Sequence, residues 1–202
     1  MSDLEVALTF DAEHPSRARH ACEAPGRILD VLEVARIRAT FFVQGRWATA
    51  FPDTASRISA GGHLVGNHSN YHAPMTLLSA EGIRSDVQRA EELIRDVTGA
   101  DPRPWFRCPF GDGADDPDVR STLQEIGYRN VSWSVDPGDW METATPEGVA
   151  DAVVLSATSR AHPVVVFHTW SSATAAALEE IVERLRAENA SFVTVAELTR
   201  DA

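Results

Sequence analysis

The stretch LTFDAEHPSR, Leu8 to Arg17, places two acids and a histidine directly after an apolar run. Apolar and polar residues alternate up to this point, which predicts a first β-strand that ends near Asp11. Glu13 and His14 follow at once, and the proline after them interrupts regular structure. A polar turn after a strand would explain this composition. The same residues are also half of a metal site, which would need further histidines downstream.

Size and charge restrict what the chain can do. Its 202 residues suffice for one domain with a sizeable core, and 44% hydrophobic with 24% charged residues is typical of a globular protein. The formal net charge of −12 argues against nucleic acid and against an anionic membrane surface as partners. The sequence contains no run of about 20 apolar residues that would predict a spanning helix. Because there is no linker or internal repeat, we predict a single domain over residues 1–202.

The N-terminus and the cysteines indicate the compartment and the ligand chemistry. The segment MSDLEVALTF lacks a basic region followed by an apolar run, so it predicts a cytoplasmic protein without a secretion signal. A secreted chain trimmed of its signal would look the same. Cys22 and Cys108 form no CxxC pattern, which argues against thiolate zinc ligands and against a disulfide framework.

Strand and helix patterns alternate along the whole chain. Short apolar or alternating runs predict strands, and apolar residues at spacings of three and four predict helices. The predicted strands cover residues 4–8, 39–43, 63–69, 105–109, 130–136, 163–168 and 192–195, and the predicted helices cover 28–35, 52–60, 83–97, 119–126, a segment from 145, and 173–189. Repeated strand–helix units imply a parallel α/β sheet, and about seven or eight of them fit a barrel better than an open sheet.

Five polar residues share one position in this pattern, at or just after the end of a predicted strand: Asp11, His68, Arg107, Asp136 and His168. In parallel barrels the catalytic groups lie at the carboxyl ends of the strands. We therefore expect these five side chains to meet at one face of the barrel.

The segment HSNYH, His68 to His72, supplies the downstream histidines. Two histidines four residues apart can present both imidazoles to one ion, on a helix or in a tight turn, although the spacing alone also fits surface or core histidines. An acid from the first strand would complete a triad of two histidines and one carboxylate. Such a triad leaves coordination positions open for water, as catalytic metal sites require.

Five segments, TFDAEHP, HSNYHAP, RCPFG, DPGDW and VFH, together resemble the motifs of the polysaccharide deacetylase family, which is carbohydrate esterase family 4 with its NodB-homology domain. They occur in the family's order, and the resemblance extends from Leu4 to about Leu198. It implies an α/β fold of the distorted (β/α)7-type barrel class. It also implies a divalent metal ion, zinc in the first place with cobalt or nickel as alternatives. The implied reaction is hydrolysis of acetamido groups, usually on N-acetylglucosamine, and some relatives cleave other amides or esters.

The first motif departs from the family pattern. The family has two adjacent acids after Thr-Phe, whereas here Asp11 is followed by Ala12 in the place of the metal-binding acid. Divergent relatives, some of which act on small cyclic amides, look similar in placing the second acid two positions on. That match makes Glu13 the metal ligand together with the two histidines of HSNYH. His14 and Asp11 are the alternative ligands.

The resemblance also implies catalytic roles. Asp11 matches the general base, and Arg107 matches the arginine that pairs with it. The backbone N–H of Phe110 matches the group that stabilises the oxyanion. His168 matches the general acid, and Asp139 matches the aspartate that holds this histidine. Without the resemblance, Arg107 would predict an ordinary salt bridge and His168 a structural histidine.

Several further residues are assigned to the surroundings of the site. Trp140 and Val166 are expected to line a slot for the acyl methyl group, although Trp140 equally fits a core position. Asp136 is expected to brace the arginine of the third motif or its own loop. Trp47 and Trp170 fit either the border of the substrate cleft or ordinary packing.

The leading functional prediction is a metal-dependent deacetylase that removes N-linked or O-linked acetyl groups from an acetylated sugar, oligosaccharide or polysaccharide. The missing export signal shifts this expectation toward a soluble oligosaccharide or a small N-acyl metabolite. An amidohydrolase that acts on a small or cyclic amide is the alternative, because of the Asp-x-Glu form of the first motif. A non-catalytic glycan-binding relative is a third hypothesis, because Ala12 replaces an acid. The sequence predicts no oligomeric state.

Overall fold

Seven parallel strands form the centre of the fold within residues 4–14 and 23–199, the parts of the chain that this computed structural model describes. The strands are β1 Glu5–Ala12, β2 Thr40–Val43, β3 Leu64–Asn67, β4 Trp105–Phe106, β5 Arg129–Asn130, β6 Val164–His168 and β7 Ser191–Phe192. Their order in the sheet is β5-β4-β3-β2-β1-β6, and β7 pairs with the beginning of β1. The strands lie parallel, so their carboxyl ends meet at one edge.

Eight helices connect these strands within the described residues. They are α1 Ala24–Ala35, α2 Gly45–Ala50, α3 Pro52–Ala60, α4 Ala80–Thr98, α5 Pro117–Glu125, α6 Pro146–Ala157, α7 Ser172–Ala187 and α8 Val195–Leu198. Their apolar sides pack against the strands in the largest core cluster, which includes Phe10 of β1 together with Leu32, Ile94 and Ile181 from three different helices. Among the described helices, none combines the length and the apolar character that crossing a bilayer requires.

Strand β1 is buried on both faces, and its alternation decides where the site lies. Val6, Leu8 and Phe10 belong to the core cluster beneath the helices, whereas Ala7 belongs to a separate cluster inside the curled sheet. Successive side chains of a strand point to opposite faces, so Asp11 shares the inner face with Ala7. The last residues of β1 therefore deliver an acid to the inside of the barrel at its carboxyl end.

The sheet closes into a distorted barrel through one isolated bridge. Beyond β5 the chain forms its bridge with β6 at Val135, which pairs with Val165, and the adjacent Ser134 N donates to the Val164 carbonyl at 2.9 Å. The prediction of a strand over residues 130–136 is therefore wrong in extent. Groups in this segment form hydrogen bonds elsewhere. The Val131 carbonyl accepts from Arg107 Nε, and the Asn130 side-chain oxygen accepts from Cys108 N. The predicted class, a distorted (β/α)7-type barrel, is confirmed.

Other boundaries differ from the sequence predictions for local reasons. The predicted strand over residues 192–195 ends at Phe192, because Thr194 caps α8 and forms a reciprocal capping box with Glu197. The strand predicted over 105–109 ends at Phe106, and a 3-10 turn, Pro109–Gly111, follows. Helix α2 was not predicted. The predicted helix start at residue 145 is confirmed, because the Thr145 side chain accepts from the first turn of α6.

The turn expected at Pro15 and the thiol of Cys22 lie outside the described residues. Cys108 is a buried free thiol. Burial raises its pKa to about 12, so the thiol is protonated and behaves as a small apolar side chain.

Candidate active site

The predicted strand-end residues meet in and beneath one cleft. Asp11 lies opposite His168 in the register of β1 and β6, and His68 follows β3 directly. The cleft has a volume of about 860 Å³, and Asp136 lies on its wall with these three residues. Arg107 is fully buried next to the cleft. The structure therefore brings all five predicted side chains to the carboxyl end of the barrel.

Glu13, His68 and His72 form a compact cluster at the bottom of this cleft. One ligand atom from each residue lies within 4.8 Å of the other two. His68 Nε2 lies 3.3 Å from Glu13 Oε2 and 3.1 Å from His72 Nε2, and His72 Nε2 also contacts Glu13 Oε2. Glu13 and His68 are buried, and His72 is partly exposed to the cleft.

The chemistry of this cluster fits a divalent cation. The Nδ1 atom of His68 lies 2.9 Å from the Arg107 carbonyl, which only accepts, so Nδ1 donates and Nε2 is the ring nitrogen that faces Glu13. Glu13 Oε2 is buried without a hydrogen-bond partner among the described residues. Two imidazole nitrogens and a carboxylate oxygen therefore converge on one point, and a metal ion would give all three atoms a common partner.

The charges around the cluster also favour a cation. Burial opposes ionisation of Glu13, but the adjacent His68 and His72 rings lower its pKa well below the usual range. Burial opposes a charge on His68, whereas Asp11 and Glu13 outweigh it and raise the His68 pKa. The Glu13 carboxylate therefore stays anionic, and the acids around His68 stabilise positive charge there.

The two histidines are held by a tight turn rather than by a helix. Ser69 and His72 have positive φ values of 61° and 57°, which is uncommon for residues other than glycine. The Asn67 side chain accepts from Ser69 N at 2.8 Å, and Ser69 Oγ accepts from His72 N at 2.9 Å. These hydrogen bonds fold the segment back so that both imidazoles face Glu13.

Asp86 of α4 braces the same turn, and sequence reasoning missed it. Its carboxylate is buried and accepts from the backbone N–H groups of Asn70 and Tyr71 at 2.9 and 3.1 Å. The sequence could have indicated this role through the position of Asp86. It lies three residues after Ile83 and one before Val87, on the apolar face of the predicted helix. A charge at such a position needs a partner, because burial without one is costly.

We expect Asp86→Ala to lower the free energy of unfolding by roughly 1–3 kcal/mol for each backbone N–H left without an acceptor. It should also weaken metal binding, because the turn that presents the two histidines loses its brace. Urea unfolding and zinc titration measure the two effects. Asp96→Ala, on the exposed side of the same helix, is the matched control and should change neither. Equal stability of the two variants would contradict this role of Asp86.

Asp11 is held by a buried arginine. Arg107 Nη1 donates to Asp11 Oδ1 at 2.8 Å, and Arg107 Nε donates to the Val131 carbonyl at 3.1 Å. The guanidinium also lies over the Phe42 ring, 4.1 Å from its centroid. With Oδ1 engaged, the second oxygen of Asp11 faces the cluster, 3.7 Å from His68 Nε2. A carboxylate fixed in this way is placed to accept a proton inside the cleft.

His168 and Asp139 form a hydrogen-bonded pair on the opposite wall. Asp139 Oδ1 lies 2.7 Å from His168 Nδ1, and Oδ2 accepts from His168 N at 2.8 Å and from Thr174 Oγ1 at 2.6 Å. Burial alone would lower the His168 pKa, but the hydrogen bond and charge of Asp139 outweigh it and raise the pKa to about 9. His168 therefore carries a proton at neutral pH.

The residues expected to contact substrate line the same cleft. Phe110 is 63% exposed and adopts a positive φ of 58°, and Trp140 is 54% exposed. Val166 is buried in the cleft wall. The exposure of Trp140 excludes the alternative core position.

The structure distinguishes between the alternatives that the sequence left open for four further residues. The His14 ring packs beside Phe51, with the centroids 5.8 Å apart, so Glu13 rather than His14 lies with the two imidazoles. Asp136 accepts from Gly138 N at 2.8 Å and so braces its own loop, whereas the arginine pairs with Asp11. Trp47 is buried in the core, and Trp170 lines the cleft.

The sequence of residues 1–131 matches the polysaccharide deacetylase family. The chain belongs to this family. The matched segment contains the first three of the motifs above, including both histidines of the cluster, and the barrel and the paired strand ends agree with the family's fold.

Two relatives extend this similarity across most of the chain. A chitooligosaccharide deacetylase from Rhizobium leguminosarum bv. trifolii is 35% identical over 166 residues, which cover 82% of this chain and 72% of the relative. A peptidoglycan-N-acetylglucosamine deacetylase from Bacillus cereus is 30% identical over 197 residues, which cover 95% of this chain and 66% of the relative.

One similar structure is described as inactive. A carbohydrate esterase family 4 pseudoenzyme from Bacillus anthracis superposes with a TM-score of 0.86 and 27% identity, covering 97% of this chain and 65% of that protein. Membership of the family therefore does not by itself establish catalysis, and the side chains of the cleft have to be considered individually.

Proposed function

We propose that this protein is a metal-dependent deacetylase that removes the acetyl group from the nitrogen of an acetylated amino sugar within an oligosaccharide. The observation that carries the proposal is the cluster of Glu13, His68 and His72 between Asp11 and His168. Family membership and the two deacetylase relatives support the reaction class.

The cluster would hold a divalent ion through one carboxylate oxygen and two imidazole nitrogens. This ligand set suits zinc, with cobalt or nickel as alternatives, and leaves positions open for other ligands. When bound, such an ion supplies an activated water and polarises the acyl oxygen. The position of Glu13 beside the two imidazoles supports the proposal that Glu13 replaces the acid that the family places at Ala12.

Asp11 is proposed as the general base. The salt bridge to Arg107 engages Oδ1, so Oδ2 is the oxygen that takes a proton from the attacking water. Because Arg107 is fully buried and packed on an aromatic ring, the carboxylate cannot rotate away without leaving a buried guanidinium unpaired. Arg107 acts through Asp11 and is a positioning residue.

His168 is proposed as the general acid that protonates the leaving amine. Asp139 occupies Nδ1, so the proton to be transferred is carried on Nε2, the ring nitrogen that Asp139 leaves free for the cleft. The raised pKa keeps this proton in place at neutral pH until the amine leaves. The backbone N–H of Phe110 is proposed to stabilise the oxyanion, and Trp140 and Val166 are proposed to contact the acyl methyl group.

The charge of the cleft favours a neutral sugar. Its described lining contains no arginine and five acids: Asp11, Glu13, Asp136, Asp139 and Glu142. A bound divalent cation, His168 and Arg107 would bring four positive charges to these five acids, so the cleft carries no excess of positive charge. Because the described lining offers no arginine to pair with a substrate carboxylate, sugars that carry one, such as N-acetylmuramic acid, should be disfavoured against N-acetylglucosamine.

Acetate release tests the proposal directly. We expect zinc-loaded protein to release acetate from chitooligosaccharides and to release less acetate from oligosaccharides that contain N-acetylmuramic acid. Treatment with a chelator should stop the release of acetate. Added zinc should restore the activity. Faster hydrolysis of cyclic amides than of acetylated sugars would favour the amidohydrolase alternative, which the Asp-x-Glu form of the first motif motivates.

A non-catalytic role is the second candidate, because the pseudoenzyme from Bacillus anthracis has a similar fold and Ala12 replaces an acid here. Against it, the proposed base contacts Arg107 and the proposed acid contacts Asp139 in this structure. If the zinc-treated protein releases no acetate from any substrate of the panel but binds chitooligosaccharides, the non-catalytic role is the better account.

A further inference from the structure

Trp170 contacts both functional halves of the cleft. It follows β6 two residues after His168, its side chain is buried, and it lines the cleft. Its indole Nε1–H donates to Glu13 Oε1 at 3.2 Å. Its ring lies against the His168 ring, with centroids 5.0 Å apart and the planes inclined by 40°. One side chain therefore touches the carboxylate of the metal cluster and the proposed acid.

The two oxygens of Glu13 have different partners. Oε1 accepts from the Trp170 indole, and Oε2 contacts the Nε2 atoms of His68 and His72. A rotation of the carboxylate would break the indole hydrogen bond in a buried site, where a lost hydrogen bond is not replaced by water. The indole hydrogen bond thus fixes the orientation of the Glu13 carboxylate toward the imidazoles.

Glu13 needs such a support because of its place in the chain. Strand β1 ends at Ala12, so Glu13 lies beyond the part of the backbone that the sheet holds. A glutamate also has one more methylene than an aspartate, so ordering its side chain costs more rotamer entropy. An external donor that fixes the side chain before metal binding reduces the entropy that binding must overcome.

Trp170 is itself well held. The backbone N–H of the preceding Thr169 donates to the Asp11 carbonyl at 3.1 Å. The following Ser171 caps α7, and its hydroxyl oxygen accepts from Thr174 N at 3.2 Å. Hydrogen bonds of the two neighbouring residues therefore fix the position of Trp170 relative to β1 and to the start of α7.

We propose that Trp170 is a positioning residue that holds Glu13 in the orientation required for metal binding. This inference rests on the proposed function, since it concerns the same metal cluster. The residue acts through the carboxylate and touches no reacting atom.

Trp170→Phe tests the inference, because it keeps an aromatic ring against His168 and removes the N–H donor. Partners of this kind typically change metal affinity by about 10–100-fold when removed. We expect the zinc dissociation constant, measured by competition with a chromophoric chelator, to rise by about that factor. Trp47→Phe makes the same change in the core and should keep the wild-type affinity.

A second measurement uses the unaltered protein. The chain contains five tryptophans, and the indole N–H resonance of Trp170 in a ¹⁵N NMR spectrum should shift during zinc titration with the midpoint of metal binding. This measurement decides the inference if Trp170→Phe does not fold. Wild-type zinc affinity in folded Trp170→Phe, or an unmoved Trp170 resonance, would overturn it while leaving the deacetylase proposal intact. Wild-type protein that binds no zinc would overturn both.

Discussion

Glu13→Gln is expected to abolish acetate release and to weaken zinc binding strongly. The substitution keeps the shape of the side chain but replaces the anionic oxygen that faces His68 and His72 with a neutral amide group. A metal ion supplies several kcal/mol of charge stabilisation in the transition state. If about 4 kcal/mol is lost, the rate falls by about a thousandfold. Acetate release under saturating substrate, together with a zinc titration, measures both effects.

The control for this variant is Glu142→Gln, which makes the same chemical change on the wall of the same cleft. Glu142 lies outside the cluster of three ligands, so the zinc affinity of this variant should remain at the wild-type value. If Glu13→Gln binds zinc as tightly as Glu142→Gln, Glu13 is not a ligand.

The second large effect concerns His168. His168→Ala should lower kcat by roughly 10²–10⁴-fold, the usual contribution of a positioned acid. In the wild-type protein, kcat/KM should fall as the pH rises through about 9, because His168 then loses the proton that it donates. Asp139→Asn removes the negative charge that raises the His168 pKa. The His168 pKa should therefore fall, and the alkaline decline should move to a lower pH.

Asp136→Asn is the matched control for the pH profile. Asp136 belongs to the same loop and lines the same cleft, but its carboxylate binds Gly138 N rather than His168. Its alkaline decline should therefore stay near the wild-type position. An Asp139→Asn profile identical to that of Asp136→Asn would show that His168 is not the acid whose proton limits the reaction.

The sequence predicted the architecture well where packing follows a simple period. The buried run of β6 and the amphipathic pattern of α4 are visible because each depends on one periodic apolar face. The segment after β5 shows why alternation can mislead. Val131 and Val135 alternate as in a strand, yet Val131 N donates to the Phe106 carbonyl of β4, whereas Val135 forms its bridge with β6. The short helix α8 could have been found from the Thr-x-x-Glu capping pattern at Thr194.

The sequence predicts a site residue where a polar or ionisable residue lies at the end of a predicted strand or directly after it. Asp11, His68 and His168 are visible for that reason, and the choice of Glu13 over Ala12 came from the family resemblance. The supporting roles of Asp86 and Trp170 were not predicted, because both residues act through contacts between segments distant in sequence. Trp170 lies 157 residues from its partner Glu13, and no local pattern connects them.

Anomalous diffraction at the zinc edge, from crystals of the wild-type protein grown with zinc, tests the central claim most directly. We predict one strong peak at the end of β1, bounded by Glu13 Oε2, His68 Nε2 and His72 Nε2 at about 2.0–2.2 Å. A peak whose protein ligands include His14 or Asp11 in place of Glu13, or no peak at this cluster, would contradict the account.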